Sequence, residues 1–226
     1  MPVSSIYDKR ILLIVAMPLI VLPAEMRTDI VGQSILSAAV WGLLFYVLAG
    51  VERDLRFRLM ACLVISTVGE MFLSLVWGLY TYRLANIPLF VPPGHVFLLM
   101  LGLSLADRLP QAAAHAIIGA AGLYAIAAAV AGFDTLALPM FALLGAASLA
   151  MPSQRRLYAS TFVLALALEL YGTWLGNWTW ARQVPVLPML TTNPPGVAGA
   201  FYCALDALVG AASLLVVPRL SASPAR

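Results

Sequence analysis

Charge is what this sequence has least of. Only 10% of its 226 residues are Asp, Glu, Lys or Arg, where a soluble domain carries about a quarter. The one lysine is Lys9. Such scarcity excludes a water-solvated globular surface, and no basic cluster is dense enough to hold nucleic acid. Cysteine is limited to Cys62 and Cys203, both inside apolar runs. They give no disulfide framework and no CxxC metal pair, and read as small packing residues. Histidine is limited to His95 and His115, which argues against a His-based metal site. There is no DDxxD-like cluster for a diphosphate substrate, no GxSxG elbow, no phosphate-binding glycine loop and no retinal-type lysine. A carboxylate-bound Mg²⁺ stays open, but no metal or cofactor is expected.

What the chain has instead is apolar residues, 62% of the total, with a mean hydropathy of +0.95. They are gathered in runs of about twenty residues rich in Leu, Ala, Val and Gly, the length a spanning helix needs. The short alternating segments of a β-barrel are absent. The expected fold class is therefore an all-α integral membrane protein, one transmembrane domain over residues 1–226. Eight spans are predicted, at 11–25, 30–51, 58–80, 93–107, 112–132, 135–151, 157–177 and 195–216. Lys9-Arg10 followed by ILLIVAMPLIVL also has the form of a signal peptide. A retained anchor is the preferred reading, because no small-x-small cleavage site follows.

With eight spans, ten basic residues fall on one side: Lys9, Arg10, Arg53, Arg56, Arg58, Arg108, Arg155, Arg156, Arg219 and Arg226. Three, Arg27, Arg83 and Arg182, fall on the other. The positive-inside rule then puts both termini in the cytoplasm of a bacterial-type inner (plasma) membrane. The long loops 81–93 and 178–194 face outward, and their aromatics suit an interfacial belt.

An internal repeat organises the chain. Glu70-x3-Ser74 matches Glu169-x3-Thr173, and Gly78-x-Tyr80-Thr81-Tyr82 matches Gly176-x-Trp178-Thr179-Trp180. Ile87-Pro88-Leu89 matches Val184-Pro185-Val186, and Pro92-Pro93-Gly94 matches Pro194-Pro195-Gly196. The offset drifts only from 97 to 102. Each half, about 1–108 and 109–226, holds four spans. An even number makes the halves parallel, so the prediction is an eight-helix bundle built from two parallel four-helix repeats.

Three acids sit at membrane depth: Glu70, Glu169 and Asp206. A charge there costs on the order of 3 kcal/mol, so each is a candidate catalytic residue facing a shared interior cavity. The bland alternative is a helix–helix clamp in which a protonated acid bonds a neighbouring hydroxyl or carbonyl. Low dielectric penalises a carboxylate, so a buried Glu can hold a proton and donate it. Glu70 is the proposed general acid, with Glu169 and Asp206 as partner carboxylates. Ser66, Glu70, Ser74 and Trp77 share one helix face. Tyr80, Tyr82, Trp178 and Trp180 form the mouth, where their π faces can stabilise a carbocation. His95, at a helix start after Pro-Pro-Gly, can relay protons or bind a head group. Asn177 and Asn193, near the outer ends of the second-repeat loop, suit a head-group contact or simply hold the turn. Trp174 and Tyr202, the latter one turn before Asp206, complete the candidate substrate-binding set. His115 reads as structural.

Glu70 with Gly78-x-Tyr80-x-Tyr82, Pro88 and Val91-Pro92 resembles the membrane carotenoid-biosynthesis proteins that include bisanhydrobacterioruberin hydratase. Gly69-Glu70, Gly94-His95 and Ala204-Leu205-Asp206-Ala207-Leu208 are similar to segments of the YhhN lysoplasmalogenase family. Both resemblances imply one elementary reaction: a carbon–carbon double bond is protonated, and water or an internal nucleophile captures the cation. The leading expectation is thus a membrane lyase, cyclase or hydrolase acting on an isoprenoid or lipid alkene or enol ether. A proton-coupled transporter is the alternative, since parallel repeats and mid-membrane acids suit that class too. A non-catalytic assembly subunit is a third. Small residues at Gly119-Ala120-Ala121-Gly122 suit either internal packing or a homo-oligomer.

Overall fold

The apolar runs fold into eight α-helices in a computed structural model that describes the backbone of residues 7–221 and the side chains of residues 10–213. They are α1 (Tyr7–Glu25), α2 (Ile30–Ala49), α3 (Arg53–Glu70), α4 (Val91–Ala106), α5 (Gln111–Val130), α6 (Ala137–Ala150), α7 (Arg155–Leu175) and α8 (Gly199–Ser221). Each predicted span overlaps one helix, but the third, predicted over 58–80, loses its α-helical form at Glu70. Four stretches are long and apolar enough to cross a membrane: Ile30–Ala49, Arg53–Val76, Gln111–Val130 and Pro152–Leu175. The side chains of Lys9 and Arg219, and all of Arg226, lie outside the described residues.

Local chemistry sets the ends. The Asp29 carboxylate accepts from the amides of Val31 and Gly32 and caps α2, as a short acidic side chain at that position does. Pro92 and Pro93 occupy the first turn of α4, where the missing N–H of proline costs nothing. α3 does not run to residue 80. At Glu70 it passes into a π-helical segment, Met71–Val76, a distortion that favours functional positions.

The expectation of an all-helical chain is corrected at two places. β1 (Tyr80–Tyr82) and β2 (Trp178–Trp180) pair antiparallel, Tyr80 opposite Trp180 and Tyr82 opposite Trp178. The residues responsible are Gly78 and Gly176, at φ +72° and +91°. Only glycine takes that conformation without penalty, and it turns each chain segment from helix into strand. Aromatic-Thr-aromatic sequences then suit a pleated, half-buried surface.

α3, α4, α7 and α8 form the centre, with α4 and α8 each packed between α3 and α7. α2 lies on α4, and α6 lies on α8. The remaining two helices break this balance. α5 rests on α6 and α7, while α1 rests on α2, α4 and α7. α7 therefore carries both, and the groove between α3 and α8 has no covering helix among the described residues; Phe72 and Leu208, which line it, are exposed. Close helix approach comes from small residues. A Cβ on Gly199 would collide with the Phe162 backbone, and one on Gly122 with the Phe141 ring. Such contacts hold helices together where lipid removes the hydrophobic difference between inside and outside. Gly122 is thereby used for internal packing.

Candidate functional site

Glu70 ends α3 and Glu169 lies on α7, and the β1–β2 ribbon crosses above both. Each carboxylate takes two aromatic donors from the strand that follows it. The hydroxyls of Tyr80 and Tyr82 donate to Glu70 Oε2 at 2.8 and 2.6 Å. The indole N–H groups of Trp178 and Trp180 donate to Glu169 Oε2 at 2.7 and 3.0 Å. The third partner comes from the next helix in each half. His95 Nε2 on α4 lies 2.9 Å from Glu70 Oε1, and the Tyr202 hydroxyl on α8 donates to Glu169 Oε1 at 2.8 Å. His95 and Tyr202 stack, ring centroids 4.9 Å apart. Tyr80 and Trp180 stand 4.8 Å apart, so the two donor sets touch each other. Gly172 makes this reach feasible: a Cβ there would overlap the Trp178 ring.

The chemistry of the donors fixes part of the protonation pattern. An indole N–H can only donate, so Glu169 Oε2 accepts twice. Burial, and then the adjacent Glu70 carboxylate, push the phenols of Tyr80 and Tyr82 well above the ordinary tyrosine value. Both remain donors at neutral pH. His95 Nδ1 is buried and has no partner among the described residues.

A cavity of about 300 Å³ opens beside this centre. Its apolar walls include Ile14, Met17, Pro18 and Leu22 from α1, Phe97 and Leu101 from α4, and Leu164 and Leu168 from α7. Glu70, Tyr80, Tyr82, His95, Glu169, Trp178 and Tyr202 supply its polar wall. A second hollow of about 220 Å³ lies on the opposite flank, in the bare α3–α8 groove, and shares Glu70, Tyr80, His95, Glu169 and Tyr202 with the first. The acids thus stand as a partition between two apolar spaces.

Not every candidate gathers here. Asp206 is buried but lines a separate cavity with Asp54, Arg58 and Tyr158, nearer the arginine-rich ends of α3 and α7. The expected single hollow for all three acids is corrected to two acids in one place and the third apart. Trp174 is 78% exposed and does not line the cavity; it stacks on the outside of Tyr171, which does. Trp77 donates its indole N–H to the Pro185 carbonyl at 2.9 Å and braces the loop. Asn177 donates to Glu25 Oε2 at 2.7 Å and to the Leu22 carbonyl at 2.9 Å. Trp180 lines only the α3–α8 hollow. The four strand aromatics are buried donors, not an exposed interfacial belt.

Residues the sequence reading passed over hold the ribbon in place. Glu25, 1% exposed at the end of α1, accepts from Gln33, Arg83 and Asn177. The Arg83 guanidinium pairs with it at 2.9 Å and also reaches the Glu25 and Thr28 carbonyls. At the other end of the ribbon, buried Asp134 accepts from Thr192 and the Gly196 amide, and Arg182 donates to the Phe133 and Thr191 carbonyls. An acid at the end of each of two apolar runs, Glu25 and Asp134, and a lone arginine in each long outer loop, Arg83 and Arg182, were the available signal. Among the described residues, no three His, Cys, Asp or Glu side chains form a metal-ligand set.

Comparison of the chain with protein-family models, with curated proteins and with solved structures finds no match.

Proposed function

We propose that this chain is an eight-span protein of a bacterial-type plasma membrane, both termini inside, built from two parallel four-helix repeats. It works as an acid–base enzyme on an isoprenoid or other lipid alkene. One observation carries the reading: two buried carboxylates with matched aromatic donor sets share the polar wall of an otherwise apolar cavity. An apolar cavity selects a water-insoluble guest, and most of the polar groups that line it are acids and their proton-bearing partners, Tyr171 apart.

The reaction follows from who can give and who can take. The proton shared by His95 Nε2 and Glu70 Oε1 passes to one alkene carbon, forming a C–H bond. The π electrons supply that bond, and the neighbouring carbon becomes cationic. Tyr and Trp faces stabilise that charge, as does the Glu169 carboxylate. Water then adds to the cation and gives up a proton to the acid pair, which completes a hydration; attack by a second double bond of the same molecule closes a ring instead, and the new cation loses a neighbouring C–H proton to the acid pair, leaving a double bond. This is the chemistry that the likeness to carotenoid-biosynthesis membrane proteins implies.

The test uses purified protein and a panel of polyisoprenoid alkenes, with mass spectrometry for added water and chromatography for ring closure. Glu70→Gln should stay folded in detergent and lose turnover. Full activity in that variant removes Glu70 from the mechanism. A proton-coupled carrier is the second reading, favoured by the polar cavity at Asp206 on the far side of the acid pair. Solute uptake into proteoliposomes without chemical change decides for it.

A further inference from the structure

Asp206 is left over by this mechanism. It is 4% exposed, and its Oδ2 has no hydrogen-bond partner among the described residues. It closes a cavity of about 480 Å³ also lined by Asp54, Arg58, Tyr158, Gly210 and Ser213. Arg58 Nε is buried and unpartnered there as well. Building on the acid–base reading above, we infer that this cavity is a water-filled port, and that Asp206 at its inner end passes protons to the Glu70–His95 centre.

The first argument is hydration. A buried carboxylate oxygen and a buried guanidinium Nε left without partners are costly. A water needs space and two to four polar partners, and this cavity supplies both. The apolar cavity beside Glu70 has most of its polar atoms paired to one another, His95 Nδ1 apart, and so makes a smaller demand.

The second argument is direction. Tyr202, Asp206, Gly210 and Ser213 are spaced four, four and three apart on α8, which places them along one face. The face begins at the acid centre, where Tyr202 donates to Glu169 and stacks on His95. It ends in the port, which Gly210 and Ser213 line. Asp206 stands one helical turn from Tyr202, about 5–6 Å, a gap that one or two waters bridge. His95 is close enough to act electrostatically on Asp206, and its Nδ1 is the other unpartnered atom at this junction. The charged and titratable groups around Asp206 are Cys62 and Arg58 on α3, with Asp54 of the same helix lining the cavity, His95 on α4, Tyr158 on α7 and Cys203 on α8 itself. The unpaired hydroxyls of Ser160 and Thr161 on α7 add sites for a bridging water. Proton exchange between the acid centre and solvent then runs through this side.

The test needs no substrate. The chain has two histidines, so ¹⁵N-histidine protein in detergent gives two imidazole signals, and His115→Gln assigns them. Exchange of the His95 ring proton with D₂O should slow on the order of tenfold or more in Asp206→Asn, and Asp206→Glu should restore it. Gly210→Phe, which fills the port and leaves every acid in place, should slow it likewise and covers the case in which Asp206→Asn does not fold. In a Cys62→Ala, Cys203→Ala background, cysteine at Gly210 or Ser213 should react with a membrane-impermeant maleimide, and cysteine at buried Ala165 should not. Unchanged exchange in both port variants, or no labelling at either position, overturns the inference. Fast exchange in both with turnover still abolished by Glu70→Gln sinks the port alone. Slowed exchange with full turnover in Glu70→Gln sinks the acid–base reading alone.

Discussion

At the scale of single residues, the matched donor sets make a pH prediction. Tyr80 and Tyr82 both hold their protons more tightly in the fold, because burial and the Glu70 carboxylate disfavour the phenolate. A raised native value contributes stability that is fully present below the unfolded tyrosine value and is lost as pH climbs above it. Thermal unfolding of wild type in detergent should therefore drop above pH about 10, and the drop should shrink in the Tyr80→Phe, Tyr82→Phe double variant. Equal slopes in the two proteins would dismiss the coupling. Glu70 and Glu169 were legible in the sequence because an acid within an apolar run has few alternatives to an interior position. Asp206 was legible only in depth: a sequence gives distance along a helix, not which of two cavities a side chain meets. Trp174 was misplaced for a simpler reason. It lies five residues from Glu169, about 140° around an α-helix, so it leaves on the opposite face.

At the scale of elements, the ribbon depends on its anchors. Removing Arg83 strands the carboxylate of Glu25, whose side chain is 1% exposed. Arg83→Ala should cost about 3–5 kcal/mol, read as a fall in melting temperature, with Arg83→Lys recovering part of it. A melting temperature unchanged from wild type would show that the pair contributes nothing. Gly78 and Gly176 carry the turns that aim each strand, and their matched sequence positions were visible beforehand. The strands themselves were not. Three residues are too few for an alternating period to register, and each strand finds its partner across about a hundred residues of chain. Nor does any local pattern mark the π-helical segment after Glu70, whose hydrogen bonding is settled by the ribbon and the Trp77–Pro185 contact it must accommodate.

At the scale of the whole molecule, the eight-span reading fixes which ends share a side. Cysteine introduced at exposed Gln111 and at Val186, which is 93% exposed, should be labelled from opposite faces of the membrane, with Val186 outside. Labelling of both from one face would discard the topology. The number and order of the helices could be read from eight apolar runs separated by proline, glycine and charge. Their arrangement could not, because α1 and α5 hold corresponding places in the chain yet both settle on α7. The bare α3–α8 groove is the price of that choice. On the acid–base reading proposed above, its missing wall in a bilayer is made of acyl tails, and the lipids themselves become part of the reaction chamber. That reading then predicts that bilayer thickness and detergent chain length act on the acid pair as directly as a mutation would, and that a tail lodged in the groove competes with the guest for the same two glutamates.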